Sequence, residues 1–204
     1  MKIPMKRVLV TAAVTMLALS PFLIFFLPDN SQIWKLPTQL FKRAVAFINQ
    51  EPTSFGLPVR LKIPKLKVDA AVDLMGVTPG GEMQAPSNPR DVGWFRSGPQ
   101  PGGKGSAVID GHFGRWPNGA GSVFDNLSVL TPGDKVYVED EKGTFTTFIV
   151  RESRTYDPKA DTAGIFNSAD GHAHLNLITC DGARDGTTNS YSQRLVVFTD
   201  ALLN

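Results

Sequence analysis

The stretch that decides the fold is residues 174–180, which read HLNLITC and are followed by Asp181 and Gly182. A short apolar run that ends in a turn signal favours a buried β-strand. Cys180 closes the run and is the one cysteine of the chain. Because rigid scaffolds present reactive groups where strands meet loops, Cys180 is a candidate nucleophile. The alternative is a small buried hydrophobic residue, since free cysteine is among the most buried residue types.

Short strand signals surround this stretch, separated by turns. Glycine (19 residues) and proline (15 residues) make up a sixth of the 204 residues, which favours a β-rich fold over a helical bundle. The predicted strands are residues 59–63, 68–74, 107–109, 135–139, 144–150, 174–179 and 195–199. Short helices are predicted at residues 122–130 and 161–168. Strands at this density predict a closed or nearly closed β-barrel.

A long irregular stretch, residues 78–105, interrupts the strand pattern and contains Trp94 and Phe95. Loops of this length in a small domain are either functional or locally packed. The two aromatic residues therefore either fix the loop to the barrel or line a substrate groove.

Composition excludes several classes of function. The formal net charge of +2 gives no electrostatic reason to propose a nucleic acid partner. A single cysteine excludes an intramolecular disulfide and a cysteine-rich zinc site.

The N-terminal region predicts a membrane anchor. Residues 8–27 carry no charge, and a helix of this length spans about 30 Å, the thickness of the hydrocarbon core. Lys2, Lys6 and Arg7 precede the run, so the N-terminus is expected in the cytoplasm and the rest outside. A cleaved signal peptide is the alternative, but the run ends without an Ala-x-Ala site.

The predicted organisation has four parts. Residues 1–7 form a cytoplasmic tail and residues 8–27 a transmembrane helix. Residues 28–55 form a juxtamembrane amphipathic helix and a linker, and residues 56–204 form the folded extracellular domain.

A cysteine nucleophile needs a partner that takes up the thiol proton or stabilises the thiolate anion, because a free thiol with a pKa of about 8.5 is mostly neutral at pH 7. His112 follows a strand that enters a glycine turn, the same kind of position as Cys180. His172 and His174 are two residues apart but lack a third ligand nearby, so no metal site is predicted. They are expected in the loop that enters the strand, partly solvated. Arg194 opens the last predicted strand and either caps the surface or binds an oxyanion.

Short sequence segments distributed over the whole predicted extracellular domain resemble, taken together, the sortase family of membrane-anchored cysteine transpeptidases. The resemblance is greatest to classes E and F of that family. In this order along the chain the segments are Arg60–Pro64, Val68–Ala70, Asn88–Phe95, Pro101–Gly102, Ser106–His112, Phe124, Leu127, Leu130, Pro132–Asp134, Leu175–Cys180 and Tyr191–Val197. The family's histidine corresponds to His112, its cysteine to Cys180 and its arginine to Arg194. The sequence differs from many members of the family at two positions near the cysteine, Asn176 and Asp181.

The resemblance implies an eight-stranded sortase-type β-barrel with short helices. It implies cleavage of a Leu-Pro-x-Thr-Gly-like C-terminal sorting signal between Thr and Gly, through a thioester on Cys180. The expected partners are secreted proteins that carry the signal and an amine of a peptidoglycan precursor or a pilin lysine. Thr179 and Leu177 are expected to contact the substrate, and neither a cofactor nor a metal is expected.

Three other functions remain open from the sequence. An extracellular cysteine protease would hydrolyse the acyl-enzyme instead of transferring it. An L,D-transpeptidase normally has a histidine two residues before its cysteine, and residue 178 is an isoleucine. A non-catalytic anchored β-barrel that binds a wall polymer or a partner would hold Cys180 buried and inert.

Overall fold

The computed structural model describes residues 55–188 and 190–202. Eight β-strands make up most of the regular secondary structure in this part of the chain. They are β1 (Pro58–Ile63), β2 (Val68–Met75), β3 (Val92–Phe95), β4 (Gly105–Gly111), β5 (Lys135–Asp140), β6 (Phe145–Tyr156), β7 (Ala173–Arg184) and β8 (Tyr191–Ala201). A single-turn helix, α1 (Ala163–Phe166), lies between β6 and β7, and 3-10 turns cover Pro64–Leu66 and Leu127–Val129.

The strands close into a barrel in the order β1-β2-β3-β4-β7-β8-β6-β5, with β5 pairing back to β1. Two neighbouring pairs are parallel, β2 with β3 and β4 with β7, and the other pairs are antiparallel. The expected mainly β, eight-stranded barrel with few helices is therefore confirmed.

Alternation along the strands separates the barrel core from its outer face. On β7, Leu175 and Leu177 are fully buried in the core, and on β4 Ala107 and Ile109 are as well. The loop residue Phe124 packs among them. The hydrophobic effect favours this burial by about 25 cal/mol for each Å² of apolar surface.

A second, smaller cluster covers the outer face of β4, β7 and β8. Val108, Val196 and Phe198 project outward there, and Ile165 of α1 packs against them. Asn176 donates from Nδ2 to the Ile165 carbonyl at 2.6 Å and so ties the β6–β7 loop to this face. The loop thereby becomes one wall beside the outer surface of the three strands.

Several element boundaries differ from the sequence predictions. Residues 78–105 contain a strand, β3, because Trp94 is 3% exposed in the core and pairs with Ile109 of β4. The helix predicted at 122–130 is a series of turns with a short 3-10 segment, and the one predicted at 161–168 is only four residues long. β7 continues past Cys180 to Arg184, and β8 begins at Tyr191 rather than Arg194.

Among residues 55–188 and 190–202, no helix is long and apolar enough to cross a bilayer. The predicted tail, transmembrane helix and juxtamembrane segment, residues 1–54, lie outside the described residues and stay predictions.

Candidate active site

Strand register brings the three candidate residues into one row across the outer face. Cys180 of β7 and Arg194 of β8 are directly paired. On the other side of β7, Asp110 of β4 pairs with Ile178, so His112 comes level with Cys180. Residues 68 positions apart in the sequence thus become neighbours through the parallel β4–β7 pairing.

A buried hydrogen bond fixes this alignment. Thr179 Oγ1 donates to the carbonyl of Gly111 at 2.7 Å, and these two residues immediately precede Cys180 and His112 in the sequence. Gly111 is also required for space, because a Cβ there would overlap the ring of Phe124.

A cleft of about 440 Å³ borders both Cys180 and His112. Its other lining residues are Phe113, Arg115, Trp116, Pro117, Arg184 and Tyr191. Arg194 does not line this cleft. Its Nη1 donates to the carbonyls of Tyr191 (3.2 Å) and Gln193 (3.0 Å).

Burial raises the pKa of the Cys180 thiol, and two nearby charges act on it in opposite directions. The Arg194 guanidinium lowers this pKa, whereas the Asp110 carboxylate raises it. Because burial dominates, the thiol is mostly protonated at neutral pH.

Asp110 is a fourth ionisable group at the site. It lies two residues before His112 in β4, on the same face and one row below Cys180. Burial raises the pKa of its carboxyl to about 6, although His112, a backbone N–H and Arg194 all act to lower it. The site therefore places the Asp110 carboxyl one row away from the Cys180 thiol, the His112 imidazole and the Arg194 guanidinium.

The His112 ring is held by one hydrogen bond and one aromatic contact. Nε2 lies 2.6 Å from the Pro86 carbonyl oxygen, and because a carbonyl only accepts, this nitrogen carries the hydrogen. The ring of Trp116 meets the imidazole edge to face, with centroids 5.2 Å apart. In the neutral ring, Nδ1 is consequently the nitrogen that can accept a proton.

The side chains of Leu177 and Thr179 point into the barrel. Leu177 is fully buried in the core, and Thr179 is 1% exposed with its hydroxyl bonded to Gly111. The expected contact of these two side chains with substrate does not fit this placement, because they alternate with Cys180 and face away from the cleft.

The other two histidines lie apart from this row. His172 is exposed in the turn before β7. His174, expected to be partly solvated in the loop, is instead buried within β7. Its Nδ1 lies 2.7 Å from Asp200 and its Nε2 lies 2.9 Å from Asp170, so two carboxylates account for its burial.

Comparison with known proteins agrees with this architecture. The family model described as Sortase domain matches residues 61–202, which is more than two thirds of the chain. The chain belongs to the sortase family. Sortases are in general cysteine transpeptidases, which is the chemistry that a cysteine and a histidine bordering one open cleft can perform.

Solved sortase structures are similar over most of this chain. Streptococcus agalactiae sortase C1, in complex with MTSET, is 25% identical, with 71% of this chain and 67% of that chain covered and a TM-score of 0.53. Actinomyces oris sortase C-1 is 21% identical (88% and 86% covered, TM-score 0.56). A lid mutant of Corynebacterium diphtheriae sortase A is 19% identical (80% and 80%, TM-score 0.56). Comparison with curated proteins finds no match.

Sequence reasoning missed Asp110 and the aromatic lining of the cleft. The spacing of Asp110 and His112 was a usable signal, since residues two apart in a strand share a face. Tyr191 gave no local signal, because it reaches the cleft only through the pairing of β8 with β7.

Proposed function

We propose that this sortase is a membrane-anchored transpeptidase that cleaves a Leu-Pro-x-Thr-Gly-like sorting signal between Thr and Gly and joins the Thr carbonyl to an amine. The observation that carries the proposal is the row of His112, Cys180 and Arg194, in which His112 and Cys180 border one open cleft.

In the first step, the Cys180 sulfur attacks the Thr carbonyl carbon and forms a tetrahedral adduct. The bond from that carbon to the Gly nitrogen then breaks, and the departing amine takes a proton from the His112 imidazolium. Since the thiol pKa is raised, the reactive thiolate is a minor fraction at neutral pH.

In the second step, an amine attacks the thioester carbonyl and loses a proton to His112, and Cys180 leaves. A thioester keeps the acyl group activated, so amine transfer competes with hydrolysis. We propose an amine of a peptidoglycan precursor or a pilin lysine as the acceptor.

Arg194 stabilises negative charge in both steps. Arg194 lies opposite Cys180 in the β7–β8 register, and its guanidinium lowers the thiol pKa, so it favours the thiolate. We propose that it also stabilises the tetrahedral oxyanion or holds the signal's backbone. Loss of an oxyanion donor costs on the order of 10²–10³ in rate.

The proposed location is a single-pass membrane protein with a cytoplasmic N-terminus and an extracellular catalytic domain. The uncharged run 8–27 and the cations before it support this. Protease added to intact cells should remove the domain, while an epitope tag fused to the N-terminus should stay protected. Protection of the domain would contradict this orientation.

Product analysis with and without an acceptor tests the proposed reaction. The full-length protein in detergent is incubated with a Leu-Pro-x-Thr-Gly peptide, with or without triglycine. The proposal predicts a hydrolysis product alone and a triglycine-linked product when the amine is added. A product mixture that triglycine does not change would support a protease, and absence of cleavage across a panel of sorting peptides would contradict the proposed function.

A further inference from the structure

The cleft beside Cys180 has a distinct chemical character. Arg115 and Arg184 contribute two cations, and Phe113, Trp116 and Tyr191 supply aromatic surface. No acidic residue is among the described residues that line it. At about 440 Å³, its volume falls within the usual range for small-molecule sites, roughly 300–1,000 Å³.

The role of His112 in proton transfer indicates which substrate enters this cleft. The group that protonates the leaving amine must also deprotonate the entering amine, because both steps pass through equivalent tetrahedral adducts. Both amines therefore approach His112 and Cys180 from the side of the imidazole. The cleft that borders both residues is the space open to the entering amine.

The charges of the cleft restrict which amines bind well. Free amines are mostly protonated at neutral pH, since their pKa values are about 8 to 10.4. Two guanidinium groups disfavour an isolated ammonium ion but bind a carboxylate through paired hydrogen bonds. An amine that also carries a carboxylate offsets the repulsion.

We propose that this cleft is the acceptor site and that it selects a primary amine bearing a carboxylate on the same residue or short chain. The carboxylate binds Arg115 and Arg184, the aromatic side chains pack against the acceptor's backbone, and the amino group faces His112. This inference rests on the proposed transpeptidase function and names its second substrate by chemical class.

The test compares acceptors that differ only in the carboxylate. The rate of transfer from a preformed acyl-enzyme is measured for triglycine against triglycinamide, and for Nα-acetyl-lysine against its amide. The first pair places the carboxylate at a chain end, and the second places it on the residue that carries the amine. We expect kcat/KM to favour the carboxylate form by about tenfold or more in at least one pair.

Variants assign the preference to the cleft. Arg115→Gln and Arg184→Gln should each reduce the carboxylate-to-amide ratio severalfold. The matched control Lys104→Gln removes an exposed cation from the β3–β4 loop, at the start of β4, and should keep the wild-type ratio. Equal rates for acid and amide in both pairs, or a preference that survives both arginine changes, would overturn the inference.

The experiments distinguish failure of the proposed acceptor selectivity from failure of the proposed transpeptidase function. An acyl-enzyme that forms and transfers equally to acids and amides overturns the acceptor selectivity alone. A protein that forms no acyl-enzyme with any sorting peptide overturns the transpeptidase proposal and the acceptor site with it.

Discussion

At the scale of single residues, the reactivity of Cys180 is set by opposing charges on the two neighbouring strands. Arg194 lowers the thiol pKa and Asp110 raises it. We predict that Arg194→Gln raises this pKa and Asp110→Asn lowers it. The pH dependence of iodoacetamide alkylation measures both, because only the thiolate reacts.

At pH 7, alkylation should be slower than wild type in Arg194→Gln and faster in Asp110→Asn, each by severalfold. Lys104→Gln removes an exposed charge at the opposite end of β4 from His112 and should match wild type. Shifts of the same sign in both site variants would contradict the charge assignment.

Asp110 also makes stability depend on pH. Its pKa in the folded state, about 6, lies above the ordinary carboxyl value, so the folded protein binds this proton more tightly than the unfolded chain. Stability is therefore lost as pH rises from about 4 through 6. Asp110→Asn should raise the free energy of unfolding at pH 8 by on the order of 2 kcal/mol and leave it unchanged near pH 4. Urea titrations at both values measure this, and an equal effect at both would contradict it.

Some of these residues could be predicted from the sequence, and others could not. Cys180 and His112 stand out because each follows a strand signal and enters a glycine turn. The electrostatic effect of Asp110 could not be predicted, because it depends on β4 lying beside β7, a pairing of distant segments. The inward orientation of Leu177 and Thr179 was available from strand alternation with Cys180.

At the scale of elements, one hydroxyl joins β7, which carries Cys180, to the end of β4, which His112 directly follows. Thr179→Val keeps the side-chain volume but leaves the Gly111 carbonyl without its donor. A buried unpaired group costs about 1–3 kcal/mol. We predict this loss of stability together with a severalfold slower acylation, measured by denaturation and by single-turnover kinetics.

Thr199→Val is the matched control. Its hydroxyl makes the same kind of buried bond, to the Leu175 carbonyl at 2.7 Å, five residues before Cys180 in β7. We expect a similar loss of stability with acylation close to wild type. Equal effects of the two changes on acylation would mean that the Thr179 bond has no specific aligning role.

The short elements were the hardest to predict. β3 has four residues, too few for a periodic pattern, and its glycine- and proline-rich flanks resemble a loop. Long strands such as β7 were found, but their ends were not, because residues 181–184, which are half-buried or exposed, continue the strand without an apolar signal.

At the scale of the whole molecule, the barrel has a second charged cluster at the start of β7. His174 joins Asp170 of the β6–β7 loop to Asp200 of β8, and Arg151 of β6 pairs with Asp200. The backbone N–H of His172 and the His174 side chain hold the pKa of the Asp170 carboxyl well below its usual range. This carboxylate therefore stabilises the fold above pH 4, and the contribution is lost as pH falls further.

We predict that Asp170→Asn lowers the melting temperature at pH 7 and that the difference from wild type shrinks below pH 4. Cys180 alkylation at pH 7 should stay at the wild-type rate, because Cys180 lies six positions beyond His174 along β7, a distance of roughly 20 Å. Thermal denaturation and alkylation on the same samples check both parts. A deficit that grows on acidification, or slowed alkylation, would contradict this account.

The barrel itself was predictable because its strands are frequent, short and separated by glycine and proline turns. Its strand order was not derivable from those patterns, since β8 inserts between β7 and β6 through long-range pairing. The family resemblance supplied the eight-stranded barrel as an expectation, without a strand order.

The most direct test of the central claim is intact-mass spectrometry of the full-length protein, quenched in acid after mixing with a Leu-Pro-x-Thr-Gly peptide. The account predicts an added mass equal to the fragment ending at Thr minus one water, released by hydroxylamine and absent in Cys180→Ala. An adduct that persists in Cys180→Ala, or peptide cleavage at an undiminished rate in that variant, would contradict it.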